Sequence, residues 1–315
     1  MIREISPKTV TLAANGTHTL TLATLSGDCG FDAFLARGGA SSVEEILHFI
    51  RELTASNGEF RMEEPHFGCS TMQVKGKNGY LFGRNFDWED CNTLILESHP
   101  ANGYASLTSV DTDFFVTPDG GFTHEQLLTA AYYAPLDGIN RKGLCVAVNL
   151  LPDGEKIDQH TGKKNLTTTT ALRLVLDKAA TAEEAVALLR EYDLHTSGTM
   201  RIHYMIADAE GHSLCLEFID GVMSVVETSV MCNHYLTPGP YFGQARSNSI
   251  ERQDKLAAAL AKGESMTLTE VSEAMASVRH GTQWSIIYDQ TELTAELRHR
   301  LDFNDPYRLS LLVGT

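Results

Sequence analysis

The feature that most constrains this chain is that two hydrophobic periodicities alternate in blocks: period-two segments gather into groups, and paired helix-period segments stand between them. At the N-terminus TVTLAANGTHTLTLATL alternates apolar and Thr residues and predicts two short strands around Asn15-Gly16. Ser42 and Glu45 stand at capping-box spacing. With Val43, Ile46, Leu47, Ile50 and Leu53 on one face they predict a helix that Asn57-Gly58 stops. CSTMQV and YLFGRNF, joined by KGKNG, predict a hairpin with Asn78-Gly79 as a positive-φ turn. From there to about residue 150 the chain reads mostly as strand, through TLILES, GYASLTSV and GLCVAVNL. TTTTALRLVLDKA and TAEEAVALLREY predict consecutive helices, the second opened by a Thr181/Glu184 capping box. Strands return in IHYMIADA, HSLCLEFI and VMSVVET, helices in SIERQDKLAAALAK and LTEVSEAMASV, and a final strand pair begins at WSIIYD. This pattern predicts α+β layers in one extended domain rather than a regular βαβ alternation.

Composition narrows the function classes. A chain of 315 residues with 43% hydrophobic and 21% charged residues can bury a real core, so disorder is not the default expectation. Its 25 Lys+Arg against 41 Asp+Glu give a net charge of −16, with no basic cluster, so nucleic acid is not an expected partner. The first thirty residues lack a basic segment followed by an apolar run, and no stretch reaches the ~20 apolar residues of a membrane span. The expectation is a soluble cytoplasmic protein without a membrane partner, in which the glycosylation patterns at Asn15 and Asn165 carry no meaning.

Six cysteines, at 29, 69, 91, 145, 215 and 232, show neither CxxC nor zinc-knuckle spacing and read mostly as small buried hydrophobes. Cys69 differs. It follows Gly68 and begins a strand whose hairpin partner carries Arg84, Asn85 and Asp87. A turn centred on residues 76–79 sets Cys69 opposite residues 85–88. Arg84 beside the thiol would favour the thiolate and lower its pKa. The Asp87 carboxylate would oppose ionisation, so its natural role is to orient a hydrogen-bond donor. Taken singly, the same three residues read as an inert buried cysteine beside a salt bridge. His203, His234 and His280 are candidates for a Cys–His hydrolase, but no papain-like signature surrounds any cysteine. His203 and His212, on what read as adjacent strands, have no carboxylate cluster to complete a site, so neither metal nor cofactor is expected.

GCSTMQVKGKNGYLFGRNFDW resembles the nucleophile hairpin of the linear amide C–N hydrolases, the choloylglycine hydrolase and penicillin V acylase family with its acyltransferase-like relatives. These are N-terminal-nucleophile enzymes, and Cys69, Arg84 and Asp87 match their pattern in order and approximate spacing. DGINRKGLCVAVNLLPDG resembles the second family motif, which makes Asn149 the asparagine associated with the oxyanion. MCNHYLTP resembles the third, with Asn233, and SIERQDKL resembles the helix of a second active-site arginine, Arg252, for which nearby Arg246 competes. Alone, Asn149 and Asn233 would read as turn residues and Arg252 as a solvated charge. Four motifs in order, over residues 68 to about 290, give them the functional reading. The resemblance implies a four-layer αββα sandwich spanning 69–315, preceded by a 1–68 pro-segment of strands plus one helix. Bile salt hydrolases begin almost at their cysteine, so this chain is similar to the precursor members. Its third motif lacks the Pro-rich continuation of the bile-salt and penicillin enzymes, and the acyl group does not carry over.

The mechanism implied by the resemblance begins with autocatalytic cleavage of a zymogen: the Cys69 thiol attacks the Gly68 carbonyl and water hydrolyses the resulting ester. The α-amine so freed, with a pKa of about 7.7–8.0, becomes the base. Asp87 would hold that amine, Asn149 and Asn233 would donate to the oxyanion, and Arg84 and Arg252 would keep the thiolate available or steady the substrate. The expected activity is hydrolysis of a small linear non-peptide amide through a thioester. Acyl transfer in the same fold and an uncleaved, non-catalytic binding protein are the alternatives. A homo-oligomer is left open. In the 111–126 loop, Phe114, Phe115 and Phe122 could line an apolar pocket or be packed core.

Overall fold

The computed structural model describes residues 8–15, 18–54, 59–60, 68–116, 123–246 and 248–311. Strands β1 (Lys8–Asn15) and β2 (His18–Gly27) precede helices α1 (Phe31–Ala36) and α2 (Val43–Thr54) and the two-residue strand β3 (Glu59–Phe60). The expected hairpin is β4 (Ser70–Lys75) with β5 (Tyr80–Asp87), followed by β6 (Thr93–Pro100), β7 (Ser106–Asp111) and β8 (Phe115–Val116). Helix α3 (His124–Tyr132) leads into β9 (Asp137–Asn140) and β10 (Cys145–Leu150). Next come β11 (Lys164–Thr167), α4 (Thr168–Lys178), α5 (Ala182–Leu189) and β12 (Tyr192–His195). Strands β13 (Ile202–Ala207), β14 (Ser213–Ile219), β15 (Val222–Glu227) and β16 (Val230–Met231) precede α6 (Ser249–Leu260) and α7 (Leu268–Ser277). The described chain closes with β17 (Thr282–Asp289), β18 (Thr294–His299) and β19 (Tyr307–Ser310).

These strands form two large sheets, one ordered β1-β2-β6-β7-β9-β10-β13-β14-β15 and the other β16-β4-β5-β17-β18-β19. Neighbours are antiparallel except β2 and β6. One core fills the space between the sheets and under α3, α4 and α5, where Phe82, Phe86, Trp284 and Ile286 meet Ile95, Ile139, Ala147 and Met205. A second core, with Met72, Leu81, Val271, Met275 and Ile287, lies between the smaller sheet and α6 and α7. Helix, sheet, sheet, helix is the four-layer αββα sandwich of the N-terminal-nucleophile hydrolases. Side chains on a strand alternate between faces, so β5 presents Phe82, Arg84 and Phe86 to the larger sheet while Asn85 faces α7.

The structure differs from the sequence expectations at several elements. Helix α3 interrupts what reads as continuous strand, begun by a reciprocal box in which Thr123 Oγ1 accepts from Gln126 N at 3.3 Å and Gln126 Oε1 from Thr123 N at 2.9 Å. The final strand pair is a three-strand meander. The β4–β5 turn closes through Gly76 N to Gly79 O at 2.6 Å, and neither Asn78 nor Gly79 has positive φ. Gly79 is required for space instead, because a Cβ there would stand 1.9 Å from Thr291 Oγ1. The Gly16 and Asn57-Gly58 signals, the Phe115 side chain and Phe122 lie outside the described residues. Phe114 is packed core against Trp88, its ring 5.6 Å away. Within residues 1–68, β1 and β2 extend the nine-stranded sheet, and Phe31, Phe34 and Phe49 pack on Tyr133. No described helix is long and apolar enough to cross a membrane.

Candidate active site

Strand registers bring the predicted residues to one end of the smaller sheet. Ser70 pairs with Asn85 and Thr71 with Arg84, so Cys69 falls opposite Phe86, inside the expected window. Across Cys69, Arg84 and Thr71 share a face, and Arg84 Nη2 reaches Cys69 Sγ at 3.4 Å. On the other flank Met231 pairs with Thr71, which carries the next two residues, Cys232 and Asn233, alongside Ser70 and Cys69. Sequence reading placed this segment by motif alone; β16 is too short to give a periodic signal.

Arg84 is wholly buried and hydrogen-bonded through both terminal nitrogens, while its Nε has only an ion-pair contact. Its Nη2 also donates to Val148 O at 2.7 Å, Nη1 donates to Asn149 Oδ1, and Nε lies 3.5 Å from Asp137 Oδ2. Asp137 is further held by Trp284 Nε1 at 2.8 Å and Tyr288 OH at 2.7 Å. Asn149 directs its amide hydrogens at Met231 O and Cys232 O, both at 3.0 Å, so it clamps the strand carrying Asn233. With both hydrogens engaged, Asn149 has none to offer an oxyanion in this form of the chain. Asn233 engages one, toward Leu150 O at 2.8 Å.

Arg252 joins the two halves. Nη1 donates to Cys69 O and to Ser70 Oγ, each at 2.7 Å, and Nη2 donates to Asn233 Oδ1 at 2.8 Å. Its position follows from the start of α6, where Ser249 Oγ accepts from Asn233 N at 2.6 Å and sits 2.7 Å from His234 Nδ1. One helical turn later Arg252 faces Cys69. Arg246 pairs with Asp153 at the surface, so it is Arg252 that the structure brings to Cys69. Gly68 passes against this pair: a Cβ there would stand 2.6 Å from both Arg252 Nη2 and Asn233 Oδ1.

Electrostatics depart from the expectation for Cys69. Burial pushes the thiol above its ordinary value and outweighs Arg84, which acts the other way together with a backbone hydrogen bond from Asp87 and with Arg252. The same desolvation lifts the Asp87 carboxyl to about 7, against the Thr282 hydroxyl, Arg252 and Arg84. Asp87 Oδ1 accepts from Thr282 Oγ1 at 2.6 Å, and Oδ2 is 3.9 Å from Arg252 Nη1. A buried thiol, a buried acid lifted by desolvation and two guanidiniums are thus brought together here, a grouping of perturbed groups that makes this the candidate active site.

A family model described as acyl-coenzyme A:6-aminopenicillanic acid acyl-transferase matches residues 74–297, more than half of the chain. The chain belongs to this acyltransferase family. Among solved structures it is similar to a variant of conjugated bile acid hydrolase from Clostridium perfringens, with TM-score 0.58 and 16% identity over 78% of this chain and 94% of that one. It is also similar to penicillin V acylase from Agrobacterium tumefaciens, with TM-score 0.52 and 19% identity over 76% of this chain and 84% of that one. At such identities the likeness shows the shared N-terminal-nucleophile fold. No curated protein sequence gave a significant match.

In this acyltransferase-family chain, Asp137, Thr282 and Ser249 were not singled out from the sequence. Asp137 opens the second motif and Ser249 opens SIERQDKL, and those positions were the available signal; Thr282 carries none. Among the candidate histidines, His203 does meet a cysteine, its Nδ1 standing 3.5 Å from Cys215 Sγ and 3.1 Å from Glu217 Oε1, but that thiol is wholly buried and pushed up by desolvation; His234 stands at Ser249. His212 turns to Asp208 at 3.1 Å rather than to His203.

Proposed function

We propose that this chain is a self-processing cysteine amidase that acts on a small linear amide through a thioester. The observation that carries the reading is the placement of Cys69 Sγ 3.4 Å from Arg84 Nη2, immediately after a glycine cradled by Arg252 and Asn233. In processing, Sγ forms a bond to the Gly68 carbonyl carbon, the Gly68–Cys69 C–N bond breaks, and the thiol proton passes to the departing nitrogen. Water then cleaves the thioester to a Gly68 carboxylate and a free thiol beside a free α-amine.

In turnover that amine takes the Cys69 proton, Sγ attacks the substrate carbonyl, and the amine returns the proton to the leaving nitrogen. Asn233, with an amide hydrogen uncommitted, is the stronger candidate for the oxyanion, and Asn149 positions Arg84. Losing an oxyanion donor costs on the order of 10²–10³ in turnover. Acyl transfer to an amine in place of water is the second reading, and the description of the matched family favours it.

Intact-mass and N-terminal analysis of wild type beside Cys69→Ala tests processing. The expected wild-type fragment begins Cys69-Ser70-Thr71 and is missing from the variant; equal cutting in both overturns the proposal. Penicillin V and a glycine-conjugated bile acid serve as amide probes, with and without an added amine. An acylated amine product marks transfer, and free acid alone marks hydrolysis. Turnover should fall as the amine protonates below its pKa of about 7.7–8.0.

A further inference from the structure

Away from Cys69, three side chains bring donor atoms to one point at the surface. Asp158 and His160 lie on the segment between β10 and β11, and His195 ends β12. Asp158 Oδ1 is 2.9 Å from His195 Nδ1 and 3.2 Å from His160 Nε2, and the three donor atoms all lie within 4.8 Å of one another. Around a tetrahedral zinc ion with bonds of about 2.0–2.2 Å, adjacent ligand atoms stand roughly 3.3 Å apart. The cluster is close to that spacing without rearrangement.

His195 carries the argument. It is buried, and its Nε2 lies 2.9 Å from Asn165 Oδ1. With that nitrogen donating to the amide oxygen, a neutral ring turns the lone pair of Nδ1 toward the Asp158 carboxylate oxygen. In that tautomer a cation placed between the Nδ1 lone pair and the carboxylate oxygen would be held by both. A ring N–H held by an oxygen acceptor, leaving the other nitrogen as ligand, is the arrangement that a metal-binding histidine needs.

Access separates this cluster from the other His-rich group. Around His203 every position is spent: Nε2 faces Cys232 O at 2.9 Å, Nδ1 faces Glu217, and the Glu217 oxygens accept from Leu236 N at 2.8 Å and Thr237 N at 2.7 Å. His160 and Asp158 are instead 73% and 65% exposed at the side chain, so an ion and its water can reach them.

We propose that Asp158, His160 and His195 bind one divalent cation of the zinc type, with water completing a tetrahedron. Two imidazoles and a carboxylate suit zinc, with cobalt and nickel as substitutes. A bound ion would tie the 151–163 segment to β12. That segment starts just after Asn149, and its Leu151, Pro152 and Gly154 line a recess shared with Asn233 and His234.

The test is calorimetric titration of chelator-stripped full-length protein with zinc chloride, using Cys69→Ser in parallel so that the nucleophile's thiol contributes nothing. One zinc per chain, with Kd below about 10 μM, is expected in both. His160→Ala, at an exposed position that spares folding, should weaken binding at least about tenfold, as should Asp158→Asn. Zinc near the parent's Kd should raise the Tm of the parent protein clearly more than that of His160→Ala. Absence of one-to-one binding, or binding indifferent to both substitutions, overturns the proposal and leaves a hydrogen-bonded histidine–carboxylate cluster.

Discussion

At Gly68 the constraint is space, since its φ is not positive and an added Cβ would press on Arg252 Nη2 and Asn233 Oδ1 at 2.6 Å. Neither neighbour is a free side-chain end: each is hydrogen-bonded to the other, and Arg252 also to Cys69 O. Gly68→Ala should therefore slow chain scission at least about tenfold, by displacing the peptide from its attack geometry. A gel time course on refolded precursor reads this, and unchanged scission would show that the cradle gives way. At Asp87 the question is charge. The folded chain holds this proton up to about 7. An unfolded aspartate releases its proton near ~3.9, so between these values the native state binds more protons and stability falls as pH rises. Asp87→Asn keeps an oxygen for the Thr282 hydroxyl and adds no charge. It should be more stable than wild type at pH 8 by on the order of 4 kcal/mol and level with it near pH 4. Urea denaturation at both pH values decides, and a variant no more stable at pH 8 would refute burial as the cause.

Between residue and fold, the hairpin was the most readable element. Its alternation and turn position placed Cys69 within a residue of its partner, because a strand's period of two turns sequence spacing directly into geometry. The rest of the site is assembled by contacts that leave no periodic trace. Asn233 arrives through the two-residue β16, Arg252 through a helix started by the Ser249 clamp, and Asp137 as a lone buried carboxylate under Arg84. The family pattern supplied Asn233 and Arg252; local propensity could not. Helix α7 is set against β5 by two such details. Asn85 Nδ2 donates to Met275 O at 2.8 Å in the last turn of the helix, and at Gly83 a Cβ would stand 3.2 Å from Met275 Sδ and 3.3 Å from Val271 Cγ1. Gly83→Val should push the helix off the strand that carries Arg84, with an overpacking cost of about 1–3 kcal/mol. A lower urea midpoint at unchanged m-value would register it, whereas an unchanged midpoint would mean that the helix packs loosely.

For the molecule as a whole, the placement of β1, β2 and α1 bears on what the proposed cleavage would leave behind. Strand β2 runs parallel to β6 in register from Leu20–Thr93 to Gly27–Pro100, and Leu20, Ala23 and Leu25 are fully buried in the main core. Tyr133 OH donates to Cys29 O at 2.8 Å, and Lys178 Nζ reaches Asp32 at 2.8 Å. Hydrolysing the bond after Gly68 breaks none of these. The described part of residues 1–68 thus forms an edge of the larger sheet, and if the proposed scission occurs both pieces should elute together in size exclusion and part only in denaturant. Residues 69–315 made alone would leave β6 as an unpaired apolar edge, the template on which strands of other chains add. That fragment should aggregate, and adding back residues 1–68 during refolding should restore a soluble complex. A soluble, active 69–315 fragment would mean that the sheet closes without its first two strands.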